Sequence, residues 1–228
     1  MLRAAGDPVH TSHEALVPQF EEALVRRDPA SGRWYAASAH LLWIGNRTRR
    51  LDGAHVELLA GVANPVGVKV GPGTTPADLR ALCARLDPER EPGRLLLISR
   101  MGAGRIRAEL PPLLAAVRAA GHPAVWACDP MHGNTVRAAS GHKTRRVGDV
   151  LAEISGFFAA HRAAGTRPGG LHLELTGEDV TECLGGSAGI TEDRLGERYE
   201  TACDPRLNAS QAVDVAVHTA WLLRGLAA

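Results

Sequence analysis

Cysteine, aromatic residues and net charge are all scarce in this sequence, and each scarcity removes a class of function. The four cysteines (Cys83, Cys128, Cys183 and Cys203) are scattered, with no CxxC pair. That spacing suits neither a disulfide framework nor a structural zinc site, and it fits a reducing compartment. Aromatics make up 4% of the chain, too few for the stacking platforms that hold single-stranded nucleic acid. Lys and Arg number 26 against 25 Asp and Glu, a net charge of +1, which leaves no broad basic surface for nucleic acid or anionic membrane. No apolar run is long enough to cross a bilayer. The N-terminal stretch MLRAAGDPVH lacks the apolar centre of a signal peptide. The expected setting is cytoplasmic, with no nucleic-acid partner and no membrane partner.

What is present is a folding chain with a clear rhythm. Hydrophobic residues are 45% of 228, enough for a sizeable core. Short β-type runs are VHTS (residues 9–12), HLLWIG (40–45), VGVKVG (66–71), RLLLISR (94–100), AVWACDP (124–130) and GLHLELTG (170–177). Several are near-continuous apolar runs, the pattern of strands covered on both faces. Helical patterns lie between them. HEALVPQFEEALVRR has Pro18 at its first turn or at a kink. TPADLRALCARL opens with Thr75 as N-cap and Pro76 at the first helical position. IRAELPPLLAAVRAAG stops at Gly121, and RVGDVLAEISGFFAAHRAAG stops at Gly165. NASQAVDVAVHTAWLLRGLAA closes the chain. Alternation of this kind predicts βα units with parallel strands, in one α/β domain over residues 1–228, either barrel or open sheet.

In such folds chemistry gathers where strands end. Arg47 follows WIG, Lys69 lies in VGVKVG, and Arg100 ends LLLIS. His132 follows WACDPM, Glu174 sits in LHLEL, and Asp204 comes late, in ACDPRLN. The three cations suit a substrate bearing phosphate and carboxylate. A His with two carboxylates suits a divalent ion such as Mn2+, Zn2+ or Co2+. Each residue also has a plainer reading. A strand-end Arg is most often solvated, a single His is more often a loop residue than a ligand, and Asp204 can cap a turn. Lys69 and Glu174 resist that reading, because apolar neighbours imply burial and a buried charge needs a partner. GAGRIR, after Arg100, has part of a phosphate-loop spacing but not all of it. KTRRVGD reads as a solvated basic patch or as a second phosphate site. Cys128 and Cys203 read as core or near-core thiols.

The words WIGNRTRRLDGAH, NPVGVKVGP, RLLLISRMG, CDPMHGNT, HLELTGEDVTECLGG and RYETACDPRLN occur in this order. Together they resemble the type II 3-deoxy-D-arabino-heptulosonate 7-phosphate (DAHP) synthases, from TSHEAL nearly to the C-terminus. The resemblance implies a (β/α)8 TIM barrel and condensation of phosphoenolpyruvate with erythrose 4-phosphate, the first step of the shikimate route to chorismate and the aromatic amino acids. It implies that His132, Glu174 and Asp204 are metal ligands for Mn2+ or Co2+, with Zn2+ also suited. Arg47, Lys69 and Arg100 would hold phosphoenolpyruvate, joined by position 46. Lys69 and His132 would be the catalytic residues, and Lys143 or Arg145 would reach the sugar phosphate.

This sequence departs from the family pattern twice. Asn46 stands where the family usually has Glu. The resemblance also begins near the third barrel strand of proteins roughly twice this long. The expectation is therefore an incomplete barrel, without its first two strands, the N-terminal extension and a Cys metal ligand. An incomplete barrel exposes strand edges and inner core, so self-association or a partner chain filling the gap is expected. The function implied is a truncated, impaired synthase. The alternative is an inactive synthase-like protein that binds a partner such as a full-length synthase.

Overall fold

The computed structural model describes residues 9–227. Its main sheet is built from six strand-then-helix steps. These are β1 (Ser12–Glu14) with α1 (Pro18–Ala23), β4 (Leu41–Ile44) with α2 (Ala54–Ala60), β5 (Val66–Val70) with α3 (Pro76–Leu86), β6 (Leu95–Ser99) with α4 (Ile106–Ala119), β7 (Val125–Cys128) with α5 (Val147–Ala164), and β10 (Gly170–Leu171) with α6 (Ala209–Ala227). Two antiparallel pairs are inserted: β2 (Val25–Arg27) with β3 (Trp34–Ala36), and β8 (Val136–Arg137) with β9 (Lys143–Thr144). The strand order of the main sheet is β1-β4-β5-β6-β7-β10. The pairings β1/β4, β4/β5 and β7/β10 are parallel. Each strand lies beside the next of the series, with no reversal of order. Doubly wound sheets have such a reversal; a barrel series does not.

The chain divides into two compact units. The first runs to Val70 and takes in Thr74–Leu97 and Ala116–Val125. Its buried residues include all five of β5 and Leu42, Ile44, Val56, Leu59, Leu79 and Leu86. α3 starts where Thr75 accepts a hydrogen bond from the Asp78 amide at 3.1 Å, with Pro76 in the first turn. Two buried polar side chains serve the backbone. Asn64 bonds the Ala36 amide and the Ala36 and Ala39 carbonyls. Arg94 donates to Leu86 O and Leu59 O, capping the ends of α3 and α2.

The second unit holds Gly71–Gly73, Ile98–Ala115 and the chain from Trp126 onward. Its core includes Ile98, Met101, Ile106, Leu113, Cys128, Met131, Val150, Ile154, Phe157 and Leu207. α5 ends at Gly165 in the left-handed conformation (φ 62°), where the Gly165 and Thr166 amides reach back to Arg162 O and His161 O. Glycine is required there because a Cβ is strained at that φ.

Several elements differ from the sequence reading. The first strand is Ser12–Glu14 rather than residues 9–12. It is an edge strand paired only with β4, so it tolerates His13 and Glu14, which read as helical. The helix expected from His13 begins only at Pro18, because the residue before a proline is held extended (Val17 φ −121°, ψ 96°). It stops at Ala23 because Val25–Arg27 pairs with Trp34–Ala36. The strand expected over GLHLELTG is reduced to Gly170–Leu171, and Glu174 lies beyond it. There the chain turns from β7 to pair Leu175 with Leu207, so Glu174 is half-buried rather than central. Cys203 is exposed, not a core thiol, because it lies in the loop ahead of Asp204.

Candidate functional site

His132, Glu174 and Asp204, all in the second unit, each offer one donor atom, and these atoms lie within 4.8 Å of one another. Each of the three residues comes from a different segment, and each segment is fixed by a buried charged partner. His132 opens a short 3-10 turn after β7. Asp129, fully buried, accepts hydrogen bonds from the Met131 and His132 amides at 3.0 and 3.1 Å. Its other oxygen is 2.7 Å from His132 Nδ1. A carboxylate can only accept, so Nδ1 carries the proton there. That leaves Nε2 facing Glu174 Oε1 at 3.1 Å.

The rest of the CDPMHGNT stretch anchors this turn. Asn134 donates to Pro130 O and to Glu153, and accepts from the Ala103 amide. Gly133 lies so close to Gly102 that a Cβ on it would be 2.4 Å from the Gly102 nitrogen. Glu174 is held by Arg145, whose Nη1 donates to its Oε2. The Asp204 loop is gathered by Glu182, which is fully buried. Glu182 accepts from the Glu200, Thr201 and Arg206 amides and from the Arg206 guanidinium. Thr201 closes the loop by donating to Asp204 O at 2.8 Å.

The electrostatics follow from these contacts. Burial pushes the His132 imidazole down, but its hydrogen bonds to Asp129 and Glu174 outweigh burial and raise it to about 9. Burial also pushes the Glu174 carboxyl up, yet His132 and Arg145 hold it below the ordinary value. Lys143 Nζ is 3.5 Å from Asp204 Oδ1. Glu174 is thus held ionised, with the Asp204 carboxyl group close by, beside an imidazole whose Nδ1 is committed to a carboxylate. This donor set fits a divalent cation, with Asp129–His132 as the carboxylate–histidine pair that orients a metal-bound imidazole. Binding an ion would displace the Nε2 proton.

The other expected residues are placed as follows. Arg100, half-buried, donates from Nη2 to His132 O at 2.9 Å, and its Nε is buried with no hydrogen-bond partner. Arg145 is fully buried, with its Nη1 on Glu174 and its Nε on Thr135. In the first unit Lys69 is 6% exposed, its Nζ 5.7 Å from the centre of the Trp43 ring. Arg47 is exposed, and Asn46 Oδ1 accepts from Arg49 Nε at 3.2 Å. Arg49 also donates to Thr74. Glu14 ends β1 against Gly45, where a Cβ would be 2.2 Å from its Oε1.

Asp129, Glu182, Arg206, Glu153 and Glu14 were not singled out from the sequence. Asp129 alone had a signal, its spacing of three from His132. At the start of GAGRIR the backbone amides are already committed to internal acceptors. The Met101 and Gly102 amides donate to Glu153 and the Ala103 amide to Asn134, so internal acceptors fill the nest.

The class-II DAHP synthetase family model matches residues 4–220. A phospho-2-dehydro-3-deoxyheptonate aldolase of Streptomyces coelicolor is 56% identical over 231 residues, covering 98% of this chain and 51% of that protein. Phospho-2-dehydro-3-deoxyheptonate aldolase AroG of Mycolicibacterium smegmatis is 52% identical over 221 residues, covering 95% of this chain and 48% of that protein. The chain spans about half the length of the curated relatives it matches. With a match reaching from residue 4 to residue 220, this chain belongs to the class-II DAHP synthetase family.

Proposed function

We propose that this chain supplies the metal-binding and phosphoenolpyruvate-binding part of a DAHP synthase. The reaction joins phosphoenolpyruvate, erythrose 4-phosphate and water to give DAHP and inorganic phosphate. The observation that carries the reading is the cluster of His132, Glu174 and Asp204, with Asp129 holding the imidazole so that Nε2 faces it. The names of the two relatives support it.

His132, Glu174 and Asp204 would hold the ion, Mn2+ or Co2+ by preference, with Zn2+ also suited to the donor set. When bound, a divalent ion polarises an aldehyde oxygen. The chain's own residues bind and orient. Arg47, Lys69 and Arg100 neutralise the carboxylate and phosphate of phosphoenolpyruvate, and Asn46 adds an amide where the family usually has a carboxylate. The partnerless Nε of Arg100 suits an anionic oxygen. Lys143 serves the sugar phosphate. Held in this way, C3 of phosphoenolpyruvate attacks the aldehyde carbon, water adds at C2, and the C–O bond to phosphate breaks. Lys69 would move a proton in this reading.

The six βα steps are read as one incomplete (β/α)8 barrel domain over residues 1–228. By itself this domain has three protein ligands for its metal, and its activity is impaired. A partner chain or a second copy completing the barrel is the second reading. The exposed stripe Val213, Val217 and Trp221 on α6 favours it, at 60, 65 and 67% exposure. No described helix is long and apolar enough to cross a membrane. A cytoplasmic setting is supported by four free cysteines.

The test is calorimetric binding of phosphoenolpyruvate with Mn2+ present, together with phosphate release that needs both erythrose 4-phosphate and Mn2+ or Co2+. Binding is expected to persist and to be lost in Lys69→Ala, with turnover far below that of a full-length relative. A folded chain that binds neither metal nor phosphoenolpyruvate would overturn the reading.

A further inference from the structure

We infer that Arg145 is a positioning residue: its guanidinium ties together the three chain segments that carry His132, Glu174 and Asp204, and so sets the spacing of the metal ligands before any ion arrives. The inference rests on the proposed role of those three residues as ligands.

The contacts reach each segment in turn. Nη1 donates to Glu174 Oε2 and also to the carbonyl of Pro205, the residue after Asp204. Nε donates to Thr135 Oγ1 at 3.1 Å. Thr135 in turn donates to Met131 O at 3.4 Å, which brings the contact to the residue before His132. The backbone of Arg145 is itself held. Its carbonyl accepts from the Leu184 amide at 2.8 Å, Thr144 Oγ1 donates to Glu182 O at 2.9 Å, and the Val147 amide donates to Leu184 O at 2.9 Å. The clamp therefore acts from a fixed base on the same stretch whose Glu182 gathers the Asp204 loop.

Two other roles fit less well. A residue for substrate phosphate needs access, and this side chain is 0% exposed. A simple stabilising ion pair is a poor reason to bury it, because desolvation offsets most of the Coulomb attraction and Nη2 is left buried with no hydrogen-bond partner. The planar fork explains the choice of residue, since an ammonium on a flexible stem cannot hold separate directions at once.

Charge and geometry make opposite forecasts, which gives the test its sign. A guanidinium against the ligand cluster repels a divalent ion, so charge alone says that removing it tightens binding. If Arg145 positions the ligands, removing it weakens binding. Mn2+ affinity of the whole chain is to be measured by the electron paramagnetic resonance of free Mn2+, and Co2+ binding by its visible absorption. The variants are Arg145→Lys, which keeps the charge and loses the fork, and Arg145→Met, which loses both. Arg94→Met, another buried arginine remote in role, reports what general destabilisation does to the metal site.

The expected result is Mn2+ affinity about 10- to 100-fold weaker in both Arg145 variants, the size seen for second-layer partners of metal ligands. An altered Co2+ band is expected with it, while Arg94→Met leaves affinity unchanged in its folded fraction. Unchanged affinity in Arg145→Lys, or tighter binding in Arg145→Met, would overturn the inference while leaving the metal site standing. No Mn2+ or Co2+ binding by the parent chain would overturn both. If Arg145→Met does not fold, Arg145→Lys decides alone.

Discussion

Asp129 Oδ2 lies 2.7 Å from His132 Nδ1, and this contact selects which imidazole nitrogen faces Glu174. In Asp129→Asn the side-chain amide can donate to Nδ1, so that a neutral ring keeps its proton on Nε2, the atom an ion would need, rather than on Nδ1. The expected outcome is a loss of Mn2+ affinity on the order of 10- to 100-fold, read by titration. Affinity equal to that of the parent would show that the tautomer is set elsewhere.

Gly133→Ala should be destabilising, because its Cβ would meet backbone rather than a movable side chain. The nearest atoms are the Gly102 nitrogen at 2.4 Å and Cα at 2.9 Å. Overpacking of this kind costs about 1–3 kcal/mol. By contrast, a Cβ on Gly148 in α5 meets nothing within 4 Å. Gly148→Ala should therefore stabilise, on the order of 0.5 kcal/mol, by restricting the unfolded chain. Urea unfolding of both variants checks the pair, and the opposite order would refute it.

Glu182→Gln replaces a carboxylate that receives backbone and guanidinium donors with an amide that must turn one donor toward them. Charged hydrogen bonds of this type contribute about 1.5–3 kcal/mol each, so a loss of about 2 kcal/mol is expected by chemical denaturation. Weaker Mn2+ binding should accompany it, because the same donors shape the Asp204 loop. Loss of stability with full metal affinity would separate the loop from the site.

His161 gives the pH dependence. Burial lowers its imidazole to about 4, below the ordinary 6.5 of the unfolded chain. Above pH 6.5 both states are neutral and stability is unaffected. As pH falls from 6.5 toward 4, the unfolded chain takes up a proton that the folded state refuses, so stability falls by up to about 3 kcal/mol. Glu153 acts in the opposite sense. Burial raises it to about 7 from 4.5, so it adds stability as pH falls through that window. The two are separated by variant: His161→Phe should flatten the acid-side loss attributable to the imidazole. Parallel pH profiles for parent and variant, measured by unfolding, would contradict this.

Parts of this arrangement were legible in the residues. Thr75, Pro76 and the apolar spacing of α3 locate that helix because capping and packing act within one turn. The continuous VGVKV run marks β5 for the same local reason. The hairpin of β2 and β3 was hidden because each arm is only three residues long and its pairing depends on the turn between them. Glu182 was silent because its role depends on Arg206 and on the loop before it, across a separation of 24 residues. Of the candidate site, His132, Glu174 and Asp204, which the structure brings together, could be singled out by their placement at the ends of strand-like runs. The partners that aim them could not, since a buried carboxylate and a solvated one look alike in sequence.

Glu153 leaves a mark that amide exchange can read. It projects from α5 and accepts from the Met101 and Gly102 amides at 2.8 and 2.9 Å. Those two amides lie in the turn between β6 and α4, a place where exchange with solvent is usually fast. Here they can open only when the carboxylate of α5 lets go. Their exchange should therefore follow the opening of α5 rather than the fluctuations of a surface turn, so the protection of two loop amides reports on a helix far along the chain.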